Sequence, residues 1–222
     1  MNTLISSEIR IEWAGEKLDQ LELLVQREID DALKAPITES SDDRMKALLD
    51  LLGKVTPEAR RLVSEYALHA RAALDYIVYD LALHNTRAEQ KGTQFPICEC
   101  AKNFPKGPDG TGTGPLKHLT TEQVALVERF QPYKGFPLLQ VLHGLSNQDK
   151  HRQFAHIEAT SMTAPIHTPN TDPVTGDAKM DVKSYRSFEI SLGGHGDAAK
   201  TLRQVHAHLT KILNEFNTLL SA

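Results

Sequence analysis

The sequence predicts a mainly α protein: a bundle of five or six helices with a β-hairpin inserted before the C-terminal helix. Three observations lead there. Apolar residues recur at 3/4 spacing over long stretches at both ends of the chain, the mark of amphipathic helices. The segment LVSEYALHARAALDYIVYDLALH (62–84) is apolar on nearly every face, as a helix in the centre of a bundle is. Residues 154–163 and 180–192 instead read as strands, with Val182, Phe188, Ile190 and Leu192 at even spacing.

The chain has 222 residues, of which 40% are hydrophobic and 24% charged. That profile fits one helical domain over 1–222, with the hairpin inserted at about 154–192. At this length no disulfide or metal is needed to hold a core together. The net charge is −4, divided into −6 over residues 1–50 and +2 over the remainder. Neither part is a basic nucleic-acid footprint. No apolar run reaches the ~18–20 residues of a membrane span, so no membrane partner is expected. The N-terminus, MNTLISSEIRIEW, lacks the pattern of a signal peptide. Cys98 and Cys100 form a lone C-x-C, too close in an extended chain for an unstrained bridge. Both are expected reduced, as in a cytoplasmic protein.

In order along the chain, Ile11, Ala14, Leu18, Leu21, Val25 and Ala32 form the apolar stripe of a helix over 8–33, stopped by Pro36. A short helix at 43–52 follows, capped by Asp42 and ended by Gly53. Thr56-Pro57 then reads as an N-cap and first helical residue, opening a separate helix to about Asn85. Residues 91–118 read as an extended piece, GTQFPIC, and a loop rich in glycine and proline. That loop lacks the spacing of a phosphate-binding P-loop. Thr120-Thr-Glu-Gln123 fits a capping box for a helix at 121–130. Pro137 starts another to about 153. The segment 164–179, rich in proline and turn residues, reads as a long mobile loop between the two strands. Asp197 caps a last helix to about 220, with Leu202, Val205, Leu209, Ile212 and Phe216 on one stripe.

One polar constellation stands out. Leu138, Leu142, Leu145, Asp149 and Arg152 share a stripe of the 137–153 helix, which therefore turns charged at its end. Asn147 and His151 share the opposite flank, with His143 nearby. On the 57–85 helix, Arg71 and Asp75 lie four apart amid Leu74, Val78 and Ala82. Unpaired charges in such positions are costly, so pairing is expected: Arg71 with Asp149, Asp75 with Arg152, or each within its own helix. One reading makes this a buried network that holds helix register. The other makes it a polar cleft in which Asn147, Lys150, His151 and Arg152 hold a phosphate or a base. Of the ten histidines, His206 and His208 lie two apart on a helix and face different ways, so no metal site is expected there.

The motifs Arg71-Ala-Ala-Leu-Asp75-Tyr, Phe95-Pro-Ile, Gln131-Pro-Tyr and Leu145-Ser-Asn-Gln-Asp-Lys-His-Arg152 resemble a family of bacterial and phage proteins of unassigned function. More remotely, Asn147-Gln-Asp-Lys-His151 resembles the end of the R-N-x-x-x-H motif of HEPN-domain ribonucleases. Those are helical bundles that pair across a dimer to cleave RNA. The resemblance implies a HEPN-like RNA-binding or RNA-cleaving protein in defence or toxin–antitoxin roles. Its partners would be RNA, a second copy of the chain, or an antitoxin-like protein. Asn147 and His151 would be catalytic, Lys150, Arg152 and Arg71 would bind phosphate, and Asp75 and Asp149 would support them, with no metal or cofactor. The motif's arginine would fall at position 146, where this chain has Ser146. Lys150, Arg152 or Arg71 would have to take over its phosphate-stabilising role. The alternative is a non-catalytic helical interaction module whose Arg/Asp/His network is architectural.

Overall fold

The computed structural model describes residues 4–34, 41–150, 157–171, 178–192 and 195–221. Among them are five α-helices and one antiparallel strand pair. These are α1 (Ile5–Lys34), α2 (Ser41–Thr86), α3 (Thr121–Arg129), α4 (Leu138–Lys150), β1 (Ile157–Thr171), β2 (Ala178–Leu192) and α5 (Ala198–Ser221). The architecture is the expected mainly helical bundle, with the strand pair directly before the last helix. No helix among the described residues is long and apolar enough to cross a membrane.

α2 forms the centre. Tyr66, Ala67, Ala70, Ala73, Leu74, Ile77, Val78 and Leu81 have no solvent exposure. Many of these residues are small, which lets neighbouring helices approach closely. α1 lies antiparallel to it: Lys17 pairs with Glu65 at 3.1 Å, and Arg10 Nη1 lies 3.1 Å from His69 Nδ1. Trp13 meets His69 edge-on. α5 closes the other side of α1. Arg203 bonds both Asp19 and Glu22, and the fully buried Tyr66 donates its hydroxyl to the Leu202 carbonyl at 3.0 Å. The α5 stripe is buried as its spacing predicts, through Leu202, Val205, Leu209, Ile212 and Phe216.

Local capping signals hold. The Thr120 hydroxyl accepts from the Gln123 N–H, and the Gln123 side chain accepts from the Thr120 N–H. Asp197 accepts from the Lys200 N–H at 2.6 Å. Gln123 also accepts from Asn85, whose amide further donates to the His118 carbonyl, tying the end of α2 to α3.

Two expectations are corrected. The helices expected at 43–52 and 57–85 are one 46-residue helix, with Pro57 inside it. Proline removes only one backbone donor, the one that would reach Gly53. Continuing an existing helix avoids a second nucleation, and that cooperativity outweighs the local loss. Asp42, expected as a cap, falls inside the same helix. The loop expected at 164–179 is mostly strand: β1 runs to Thr171 and β2 begins at Ala178. Pro165 and Pro169 do not break β1, because a strand with an open edge tolerates a missing N–H on that edge. The loop's remaining residues, 172–177, lie outside the described residues.

Candidate functional site

Three of the four sequence motifs meet at one place, where they clamp a peptide. Arg71 and Asp75 sit one turn apart on α2. Arg71 Nε and Nη2 donate to the two Asp75 oxygens at 3.3 and 2.8 Å. Nη2 also donates to the Phe95 carbonyl at 2.6 Å, and the Phe95 N–H donates to Asp75 Oδ1 at 3.0 Å. The Arg/Asp pair thus satisfies both backbone polar groups of one residue, Phe95, as a neighbouring strand would. Arg71 is 6% exposed and the Phe95 ring is fully buried. Charge-assisted bonds of this kind are the strong ones.

Gln131, at the end of α3 and fully buried, holds the next residues of the same segment. Its carbonyl oxygen accepts from the Cys98 N–H at 2.8 Å. Its amide donates to the Pro96 and Val127 carbonyls at 2.9 and 3.1 Å. The R-x-x-L-D, F-P-I and Q-P-Y motifs therefore form one device. It pins the extended 95–98 strip between α2 and α3, where no sheet exists to pair its backbone. Arg71 Nη1 is buried and has no hydrogen-bond partner. The clamp leaves that nitrogen, with its two N–H donors, unused.

The fourth motif lies at the end of α4, which packs on α2. Leu139, Leu142 and Leu145 face the core, and Ser146 is 6% exposed. The buried stripe therefore begins at Leu139, whereas the sequence reading began it at the half-buried Leu138. Ser146 donates its hydroxyl to the His143 carbonyl at 3.1 Å. The position where the HEPN motif carries arginine is thus turned into the bundle. Asn147 is half-buried and its amide lies 2.9 Å from His143 Nε2. His143, expected near Asn147, meets it on one flank of α4, whereas the expected sharing of that flank by Asn147 and His151 falls on a residue outside those described. Asp149 and Lys150 belong to the α4 backbone, but their side chains lie outside the described residues, as do His151 and Arg152 altogether. The expected contacts of Arg71 with Asp149 and of Asp75 with Arg152 fall on those residues. The intrahelical alternative is realised for Arg71 and Asp75.

Burial shifts several titratable groups. Asp80 on α2 is 8% exposed, and its Oδ2 has no hydrogen-bond partner. Desolvation alone raises its pKa to about 6. His206 and His208 are both lowered, chiefly by burial. They face different neighbours: the His206 ring would lie 3.2 Å from a Cβ at Gly15, whereas His208 packs edge-on against Phe136. Among the described residues no three His, Cys, Asp or Glu side chains group as a metal site would require. Cys98 and Cys100 are unbridged, and burial pushes the Cys98 thiol up.

Sequence reasoning missed the role of Gln131 and the target of Arg71. Their signals, a Q-P-Y and an F-P-I tripeptide, carry no periodicity, and the partners are up to 35 residues apart. Asp80, by contrast, stands out in the sequence as a carboxylate in an otherwise apolar helix. No family model, curated protein or solved structure matches the chain.

Proposed function

We propose that this chain is a non-catalytic helical interaction module in which the Arg71/Asp75 network is architectural. The observation that carries this reading is the clamp on the Phe95 peptide. Arg71 is buried, and two of its three nitrogens are engaged by the chain itself. A guanidinium held this way is committed to structure, because releasing it to a phosphate would strand Asp75 and the Phe95 peptide. The burial of Ser146 supports the same reading. An arginine needed at that position for phosphate would have to leave the core.

A second reading rests on the His143/Asn147 pair, half-buried on the α4 flank that leads into Lys150, His151 and Arg152. There the chain would be a HEPN-like RNA-binding or RNA-cleaving protein. Asn147 and His151 would act on the RNA, and Lys150 and Arg152 would neutralise phosphate. A defence or toxin–antitoxin setting, a cytoplasmic location and an antitoxin-like protein partner belong to this reading.

Incubating the purified protein with mixed RNA beside a His151→Ala variant separates the two. The interaction module leaves the RNA intact with both proteins. Cleavage by the parent that disappears in His151→Ala would replace the first reading with the second.

A further inference from the structure

β1 and β2 form a sheet of two strands, each 15 residues long, and among the described residues no third strand pairs with either. At about 3.3 Å per residue the ribbon is about 50 Å long. A two-stranded ribbon is marginal by itself in water, and further strands or packing against a helix are the usual requirement for stability; here β1 touches α2, and β2 touches α1 and α5. The two outer edges are not equivalent, and the register shows why.

The Leu192 N–H donates to the Gly196 carbonyl at 2.9 Å, on the side away from β1. Ile157↔Leu192 is therefore a pair whose backbone groups point outward. The register continues without a bulge to Thr171↔Ala178, so every second pair is of this kind. Pro165↔Ser184 and Pro169↔Met180 are among them. Both prolines thus remove donors from the outer edge of β1 and none from the ladder with β2. The outer edge of β1 is blunted twice, in the manner natural sheets use against further pairing. β2 contains no proline, and its outer edge keeps every donor.

We infer that the outer edge of β2 pairs antiparallel with the same edge of a second copy, centred on Ser184. The extent of the open edge places that centre, and charge is compatible with it. The chain's own turn covers the edge at Ser191, which bridges to Asp197. The edge left over is 178–190, whose midpoint is 184. Charge excludes the adjoining registers, and a centre at Val182, which sets Asp181 opposite Lys183, pairs only 178–186 of that edge. A two-fold axis at Ser184 sets Lys179 opposite Glu189 of the second copy, twice, and opposes no like charges. A centre at Lys183 or Arg186 sets that cation against itself. A centre at Tyr185 sets Asp181 against Glu189. Opposed like charges destabilise a pair of strands.

The result is a four-stranded sheet in the order β1-β2-β2-β1. Both of its outer edges are the proline-blunted β1 edges, so assembly closes at two copies and does not run on into a filament. The hairpin is then a dimerisation arm that reaches the strand number it lacks alone. This pairing is independent of how the α4 site is read, and the outcome of the RNA experiment does not bear on it.

Sedimentation velocity of the full chain, from nanomolar to high micromolar concentration, tests the inference. The parent is expected to be dimeric. Ser184→Pro removes an outer-edge donor at the two-fold while leaving the ladder to β1 intact, and should weaken association roughly tenfold or more. Glu189→Lys should weaken it by setting two lysines against each other, and the Lys179→Glu/Glu189→Lys double variant should restore it. If Ser184→Pro loses its far-ultraviolet circular dichroism, the charge series decides by itself, because misfolding would not be rescued by a swap. A parent that is monomeric throughout would overturn the inference. So would a dimer indifferent to both single changes, or a double variant no tighter than Glu189→Lys.

Discussion

The Arg71/Asp75 clamp and the polar end of α4 began as one constellation of Arg, Asp, Asn and His residues on two apolar helices. The structure separates them. At the clamp, a 6% exposed arginine and a carboxylate close on a backbone peptide, with Gln131 holding the adjoining residues. At α4, His143 and Asn147 meet on a half-buried flank one turn apart, with solvent beside them. The difference teaches that a charge on an apolar helix face is read by what it satisfies. Where it completes another segment's backbone bonds, its removal damages the fold. Where a group such as the Asn147 amide bonds one turn away on its own helix, its removal costs the fold less.

The largest expected effect comes from breaking the first side of that comparison. Asp75→Ala strands the Arg71 guanidinium and the Phe95 N–H. The Asp75 side chain is 34% exposed, so water relieves part of the cost. A loss of about 2–4 kcal/mol is expected. Urea unfolding measures it, and a variant as stable as the parent would show that the clamp carries no weight. Gln131→Ala comes next. It leaves the Cys98 N–H and the Pro96 carbonyl without their part-buried partners, for about 1–3 kcal/mol by the same measurement.

Asp80 sharpens the comparison, because it is a buried carboxylate that completes nothing. Its folded pKa of about 6 lies above the ordinary 3.8. The folded state then binds the proton more tightly than the unfolded chain between those values. Stability from this group is present at low pH and is lost as pH rises from about 4 through about 6. Asp80→Asn should therefore stabilise the protein by about 1–3 kcal/mol at pH 8 and by almost nothing at pH 4. Unfolding curves at the two pH values test this, and an equal effect at both would remove burial as the cause. The smallest effects belong to α4. Asn147→Ala should cost about 0.5–1 kcal/mol, the value of one half-exposed hydrogen bond. A loss comparable to that of Asp75→Ala would erase the distinction between the two regions.

Where an interaction is local, the residues announce it. Thr120 and Gln123 close their capping box three residues apart, and Asp197 caps α5 within one turn. The α5 stripe, the all-apolar face of α2 and the Arg71–Asp75 spacing follow from helical periodicity alone. The proline rules failed in two places for a common reason. Thr56-Pro57 carries the signature of an N-cap and first helical residue, and that signature is blind to the helix already running into it. Pro165 and Pro169 were weighed without knowing which edge of β1 their missing donors would face.

The sequence by itself determined the helical class, the place of the strand pair before the last helix, and the caps and stripes that make each element. These depend on contacts within a few residues, where backbone geometry leaves little choice. Only the tertiary structure decided what the polar residues do. Arg71 and Asp75 reach Phe95 across 24 and 20 residues, and Gln131 reaches Pro96 across 35. Ser146 is turned inward because α4 packs on α2 with Leu142 and Leu145 buried in the core. A buried donor or acceptor takes whichever partner the packing brings within about 3 Å, and no spacing in the chain encodes which one that is.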